Sequence, residues 1–507
     1  KTLPSGKDTG SINVTNLKPG DTVTAYQFVK ANYNEYGFTG YSAINNYVKD
    51  PVAPTAQEVI DMASNAATMT VAAEKKVATG DTEVTLNGLP VGYYLVMVTS
   101  GSETVYSPMI AGIYYSKSAT DNTLTNGAIS ADSDFEIKAQ KCWAKSSTPK
   151  LEKTIVTPSS KNSKGDDIAI GGKITFNLSA TVPSYSKEYK KVTYKIYDIM
   201  SEGLDYVDGS MKCFIEKYEN NRENIKVTPK VNGGIIEITF DSKFILEHPG
   251  QKIQVEYQAK LNEKAGVNFD ANINKAYLEY SNNPASGSTA KTGEDKVYVY
   301  TFGIDSNLFG KSTEKWNEKT KELIKVEEGE YQWVETEKES GIFTTTTALE
   351  GATFTLTNNK TKKSYTATSD KYGYLKFTGL DAGEYTLQET DAPDGFTLND
   401  AKHTVVITAE YNQDGTLKSY TIKIDDKATS TYTATYDKGV IKTITSTKDS
   451  QGNISESAIL KNSKMSFLPS TGGVGTTIFA IVGVVFVAAA LGLHMILRGK
   501  SKLEQDR

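Results

Sequence analysis

Strict alternation of apolar and polar residues dominates the chain and predicts β-strands rather than helices. In the first 144 residues it is seen at 10–14 (GSINV), 22–26 (TVTAY), 83–86 and 93–98. One helical pattern interrupts it: Thr55 and Glu58 fit a capping box, and Val59, Ile60, Ala63 and Ala67 then fall on one helical face. Further along, alternation recurs at 173–178 (KITFNL), 192–196, 235–240, 253–257 and 274–280 (NKAYLEY). Short strands at this spacing, with almost no helical period between them, predict β-sandwiches. The runs at 146–150 (SSTPK) and 283–288 (NPASGS) read as linkers. The charged stretch 311–340 reads as an exposed insertion, and a core resumes at Leu349. The predicted layout is therefore mainly β: tandem sandwich units at 1–144, 145–290 and 291–466, then a tail at 467–507.

Two features break the monotony. The motif GLxxGxY occurs at 88–94 and again at 379–385, which relates the first unit to the third. It reads as a Gly turn feeding a strand. The segment 474–497 holds no charged residue and is long enough to cross a bilayer, with Arg498, Lys500 and Lys502 behind it. By the positive-inside rule the basic tail stays cytoplasmic and everything ahead of the span lies outside the cell. That topology calls for a secretory leader, already removed, ahead of Lys1.

Composition narrows the function. A net charge of −5 offers no basic excess for phosphate backbones, which argues against nucleic acid as a partner. Three His leave little for metal or acid–base sites, and neither GxSxG nor HExxH occurs, so no enzyme, cofactor or metal is expected. Two Cys, Cys142 and Cys213, cannot staple 507 residues, and nothing in their spacing pairs them.

Immediately before the apolar span stand Leu468, Pro469, Ser470, Thr471 and Gly472. Motif, span and basic tail in this order resemble the LPxTG cell-wall sorting signal of Gram-positive surface proteins. The resemblance implies that a sortase cleaves between Thr471 and Gly472 and passes the Thr471 carbonyl to an amine.

The third unit carries 385–396 (YTLQETDAPDGF), which resembles the E-box of CnaB-type domains in Gram-positive pilins. In that family a Lys and an Asn join through an intramolecular isopeptide bond, assisted by a buried acid. The chemistry is reasonable: burial lowers the pKa of Lys and makes it a nucleophile, and a buried acid can polarise the carboxamide. Glu389 shares a strand face with Tyr385 and Leu387 and is the implied acid. Asn462 matches the last-strand Asn. At the expected Lys position stands Leu308, with Lys311 three residues later, so either Lys311 serves or this unit lacks its bond. Shifting Glu389 by the repeat lands on Val98, so the first unit lacks such an acid.

The second unit resembles the middle domains of backbone pilins at 149–155, 194–204 and 274–284. The resemblance implies Lys153 as nucleophile, Asp198 as assisting acid and Asn274 as acceptor, with Glu256 and Asn282 as alternatives. Trp143-Ala144-Lys145 stands where these pilins carry the Lys that links subunits. Lys145 is the implied linkage residue, with Lys150 and Lys141 as competitors.

The sequence thus resembles a sortase-assembled backbone pilin with CnaA/CnaB-like domains. Its implied partners are a pilin-specific and a housekeeping sortase, copies of itself, accessory pilins, peptidoglycan and an unspecified host ligand. The alternative is a wall-anchored adhesin or accessory pilin at the tip or base.

Overall fold

The computed structural model describes residues 3–116, 135–310, 321–327, 330–335, 346–348, 350–448 and 459–464, apart from positions 102, 157, 219–220, 371–373 and 427. Lys311, the sorting motif 468–472 and the apolar span 474–497 lie outside the described residues. No helix among those described is long and apolar enough to cross a membrane.

The apolar faces of the strands gather into three hydrophobic cores. In the first, a six-stranded sheet built on Thr22–Asn34 and Gly92–Thr99 faces a three-stranded sheet of Cys142–Trp143, Thr9–Thr15 and Glu83–Pro90. The helix Ala56–Ser64 packs against the Gly92–Thr99 side, and Thr55 and Glu58 form the reciprocal capping box. Ile60, Met62 and Ala63 are its buried residues. Ala67 departs from the predicted face and is exposed: Asn65 caps the helix, and the 3₁₀ turn Ala66–Thr68 changes the rotational phase beyond it.

Both copies of GLxxGxY form the same device. Gly88 and Gly379 adopt positive φ (70° and 77°) at a register shift near the end of the strands Glu83–Pro90 and Tyr374–Leu380, just before the chain turns into the next strand. Tyr94 and Tyr385 then bond back to the carbonyls of Pro90 and Asp381 at 2.5 and 2.8 Å.

The middle core lies between two sheets. One runs Leu151–Ile155, Lys173–Thr181, Lys252–Leu261, Lys212–Tyr218, Asn221–Ile225, with Leu204–Tyr206 on the third of these. The other runs Gly165–Asp167, Asp295–Tyr300, Asn272–Asn283, Tyr194–Met200, Ile235–Thr239, Lys230–Asn232. The run at 283–288 is not a linker. It turns a hairpin in which Ser288–Lys291 pairs back onto Asn272–Asn283, and Asp295–Tyr300 joins the same sheet. The run at 146–150 is likewise partly built in, since Ser146–Ser147 pairs with Val105–Tyr106.

The third core is centred on a seven-stranded sheet that includes Thr353–Asn358, Gly383–Asp391 and Lys402–Tyr411. Part of the charged stretch expected as an insertion is a hairpin: Lys321–Glu327 pairs with Glu330–Glu335.

Cys142 and Cys213 are both buried and unpaired. Burial raises their thiols, to about 11 and about 12.

Candidate functional site

Four strands of the middle unit aim polar side chains into an otherwise apolar core. Period two accounts for each. Leu151, Lys153 and Ile155 point inward from the first strand of one sheet, and Ile253, Val255, Tyr257 and Ala259 from its third. From the facing sheet, Tyr194, Ile196, Asp198 and Met200 point inward, as do Asn272, Asn274, Ala276 and Leu278. The last two strands are neighbours, with Asp198 opposite Ala276 and Met200 opposite Asn274.

Lys153, Asp198, Tyr257 and Asn274 are all 0% exposed and meet at the middle of this core. The Lys153 ammonium contacts Asp198 Oδ2 directly and donates to the Tyr257 hydroxyl at 3.2 Å. Tyr257 donates to Asp198 Oδ1 at 2.7 Å and accepts from Asn274 Nδ2 at 2.7 Å. Asn274 Oδ1 is buried without a hydrogen-bond partner among the described residues. The Phe176 and Tyr257 rings wall the amine, with centroids 5.0 and 5.3 Å from Nζ.

The electrostatics follow from burial. Loss of water pushes the Lys153 pKa down, and Asp198 pulls it part of the way back. Burial thereby favours the neutral, nucleophilic amine more than exposure to water would. The Tyr257 phenol is pushed well above its ordinary value, first by burial and then by the neighbouring Asp198 charge, so it stays protonated.

Backbone contacts fix Lys153 in register. Asp295 Oδ2 accepts from Lys153 N at 2.7 Å, and Lys164 Nζ donates to both Lys153 O and Asp295 Oδ2 at 2.6 Å.

Of the predicted residues, the structure brings Lys153, Asp198 and Asn274 together. It leaves the alternatives outside. Glu256 lies on the opposite face of its strand from Tyr257. A register shift between Ser281 and Asn283 breaks the period, and Asn282 instead accepts from Ser288 Oγ at the hairpin. Tyr257 was not among the expected residues. Its place in the inward set with Ile253 and Val255 was the available signal. Lys164 and Asp295 carry no such signal, because only the fold brings them to Lys153.

In the third unit Glu389 is 1% exposed and inward with Tyr385 and Leu387, and its Oε2 accepts from Asn399 N at 2.6 Å. The strand Ile459–Lys464 runs parallel to Phe302–Gly310, with Leu308 beside Leu460 and Gly310 beside Asn462. Lys311, the implied partner of Asn462, lies outside the described residues.

Lys145, Lys141 and Lys150 are all exposed. The backbone at Lys145 is held from both sides: Ala144 N donates to Thr15 O, Asn16 Nδ2 to Ala144 O, and Ser107 N to Lys145 O. Trp143 stands 69% exposed beside it. Among the described residues, no group of three or more His, Cys, Asp or Glu is placed to hold a metal ion.

Comparison with known proteins defines the class. Residues 7–146 match the T6 antigen Ig-like domain, residues 332–421 the SpaA prealbumin-like fold domain, and residues 461–502 the LPXTG cell wall anchor motif. The chain is therefore a wall-anchored surface protein of Gram-positive type, made mainly of Ig-like and prealbumin-like β domains. Its resemblance is to the sortase-assembled backbone pilins. It is 26% identical to the trypsin-resistant surface T6 protein of Streptococcus pyogenes serotype M6, over 98% of this chain and 96% of that one. It shares the fold of the T6 backbone pilin of that serotype, a modular three-domain structure, at a TM-score of 0.61 and 20% identity, covering 91% of this chain and 100% of the other. The major pilin SpaD of Corynebacterium diphtheriae aligns at a TM-score of 0.48 and 16% identity, over 91% of this chain and 99% of that one.

Proposed function

We propose that the chain is the polymerising backbone subunit of a covalent pilus used for attachment, and that an isopeptide bond between Lys153 and Asn274 locks its middle unit. In this reading a pilin-specific sortase breaks the Thr471–Gly472 peptide bond and joins the Thr471 carbonyl to Lys145 of the next copy. A housekeeping sortase fixes the finished fibre, with its accessory pilins, to peptidoglycan. The three sandwich units are the fibre's repeating module, and the middle one extends to Tyr300.

The buried constellation of Lys153, Asp198 and Asn274 carries this reading. An ammonium and a carboxylate taken wholly out of water are costly to hold in a purely structural role. Reaction removes both charges. A proton passes from Lys153 Nζ to Asp198, the neutral amine attacks Asn274 Cγ, and ammonia leaves with one proton from Nζ. The second proton stays on Asp198, which ends neutral. Lys and Asn come from opposite sheets, so the new bond ties the two layers through their core. Restraining the unfolded chain in this way is how disulfides stabilise, and it suits a protein with two unpaired Cys.

Intact mass of the purified ectodomain tests the bond: loss of one ammonia, about 17 Da, is expected in the wild type and not in Lys153→Met. A wild type at its full sequence mass would sink the cross-link. Polymerisation is read separately. With the cognate sortase, Lys145→Ala should abolish the high-mass ladder that the wild type forms. A surviving ladder moves the linkage to Lys141 or Lys150, and a wild type without one favours the accessory or adhesin reading.

A further inference from the structure

We infer that Tyr257 is a catalytic residue of this cross-linking, relaying a proton from Asp198 to the departing nitrogen of Asn274; the inference rests on the Lys153–Asn274 reading above. The hydroxyl touches every reacting group. It accepts from Asn274 Nδ2, donates to Asp198 Oδ1 and lies 3.2 Å from Lys153 Nζ. Asp198 reaches Lys153 through its other oxygen, Oδ2. The carboxylate therefore stands between amine and phenol, and the phenol stands between carboxylate and leaving group.

The order of contacts matches the order of proton movements. An amide nitrogen is a poor leaving group because its lone pair is delocalised and it carries no extra proton. In the resting state it can only donate, and Tyr257 accepts. Attack by Nζ makes Cγ tetrahedral, the nitrogen regains its lone pair, and it becomes an acceptor. Asp198 by then holds the proton taken from Nζ and has become a donor. Both neighbours of the phenol have exchanged roles, so its hydroxyl reverses: it accepts from Asp198 and donates to Nδ2. The C–N bond of Asn274 breaks and ammonia leaves. Asp198, again ionised, takes the second proton from Nζ as the new amide forms. Two protons leave Nζ, one reaches ammonia and one Asp198, and Tyr257 ends as it began.

A phenol held protonated by its surroundings suits this work, because it passes a proton without keeping a charge. Among the described residues Tyr257 is the side chain that bonds Asn274 Nδ2, so Asp198 by itself reaches the amine side but not the leaving group. The roles are complementary: Asp198 moves protons from Lys153, and Tyr257 carries one to Asn274.

Newly synthesised full ectodomain, followed over time by intact mass, tests the relay. Tyr257→Phe keeps the ring and removes the hydroxyl. It should retain ammonia in most molecules and mature about 100-fold more slowly than the wild type, the size of a general-acid contribution. Its thermal melt should fall below that of the matured wild type, as expected for a protein without the cross-link. Val255→Ala opens the same core two residues along the strand from Tyr257, away from the reacting groups, and should mature at close to the wild-type rate. A Tyr257→Phe protein that matures as fast as the wild type overturns the relay, as does an equal delay in Val255→Ala, which would assign the effect to packing. A wild type that never loses ammonia removes the cross-link itself, and the relay with it.

Discussion

At the scale of single residues the middle unit concentrates its risk in one place. Lys153 and Asp198 form a direct ion pair within an apolar core, and neither is reached by water. Removing one partner leaves the other stranded. Asp198→Ala is therefore expected to keep the full sequence mass and to lower stability by about 3–5 kcal/mol beyond the loss of the bond. Chemical denaturation against the double variant Lys153→Met/Asp198→Ala, which removes both charges, checks this; equal stabilities would contradict it. This part of the site was legible because alternation alone sorts inward from outward residues. Lys153, Asp198 and Asn274 fall on the inward phase of their strands, and Glu256 does not. Tyr257 was legible by the same rule but reads as ordinary aromatic core until its neighbours are known. Asn282 misled because a strand of twelve residues does not keep one phase to its end.

At the scale of elements, local chemistry fixed some boundaries and long-range pairing fixed others. The helix Ala56–Ser64 begins where its capping box says, since Thr55 Oγ1 accepts from Glu58 N and Glu58 reaches back to Thr55 N. Thr55→Ala should cost about 1 kcal/mol, read as a lower denaturation midpoint. The helix packs on the first unit's sheet, with Ile60 also joining the middle core, but Thr55 is exposed at its start, so that loss should leave the ammonia loss of the middle unit unchanged. The end of the same helix was less legible: Asn65 stops it, and the apolar period runs on through Ala67. The Ser- and Pro-rich run at 283–288 misled for a different reason. Its composition suits a tight turn as well as a linker, and only the pairing of Ser288–Lys291 with Asn272–Asn283 decides between them. GLxxGxY was legible in both copies because it is a local device, in which the Tyr hydroxyl returns to a carbonyl four residues earlier.

At the scale of the whole molecule, the second and third units meet through backbone and buried acid. Gly165 and Gly415 approach so closely that a Cβ on Gly165 would lie 2.2 Å from the Gly415 carbonyl oxygen. Gly165→Ala should pry this junction open at a cost of about 1–3 kcal/mol, seen as a larger radius of gyration in solution scattering with the ammonia loss intact. Beside it, Asp167 accepts from Tyr411 of the third unit at 2.6 Å and from Ala382 N. Burial raises its pKa to about 6, against the lowering effect of these two donors, with Asp166 and Asp381 adding to the rise. The junction therefore prefers the protonated carboxyl. Its contribution is fully present below about pH 4 and is lost as pH rises through about 6, up to about 3 kcal/mol in all. The melting temperature of the wild type relative to Asp167→Asn should accordingly fall between pH 4 and 7; a difference independent of pH would contradict the assignment. The clamp on Lys153 has a further consequence, one of timing. Asp295, which holds the Lys153 amide, stands 142 residues later in the chain. Asn274 is also a late arrival. In a polypeptide delivered amino end first, Lys153 emerges long before anything that can position it or react with it. On the proposed cross-link the lysine would wait as an ordinary solvated side chain, and the lock would close only after the strand Asp295–Tyr300 had been delivered and had taken its place.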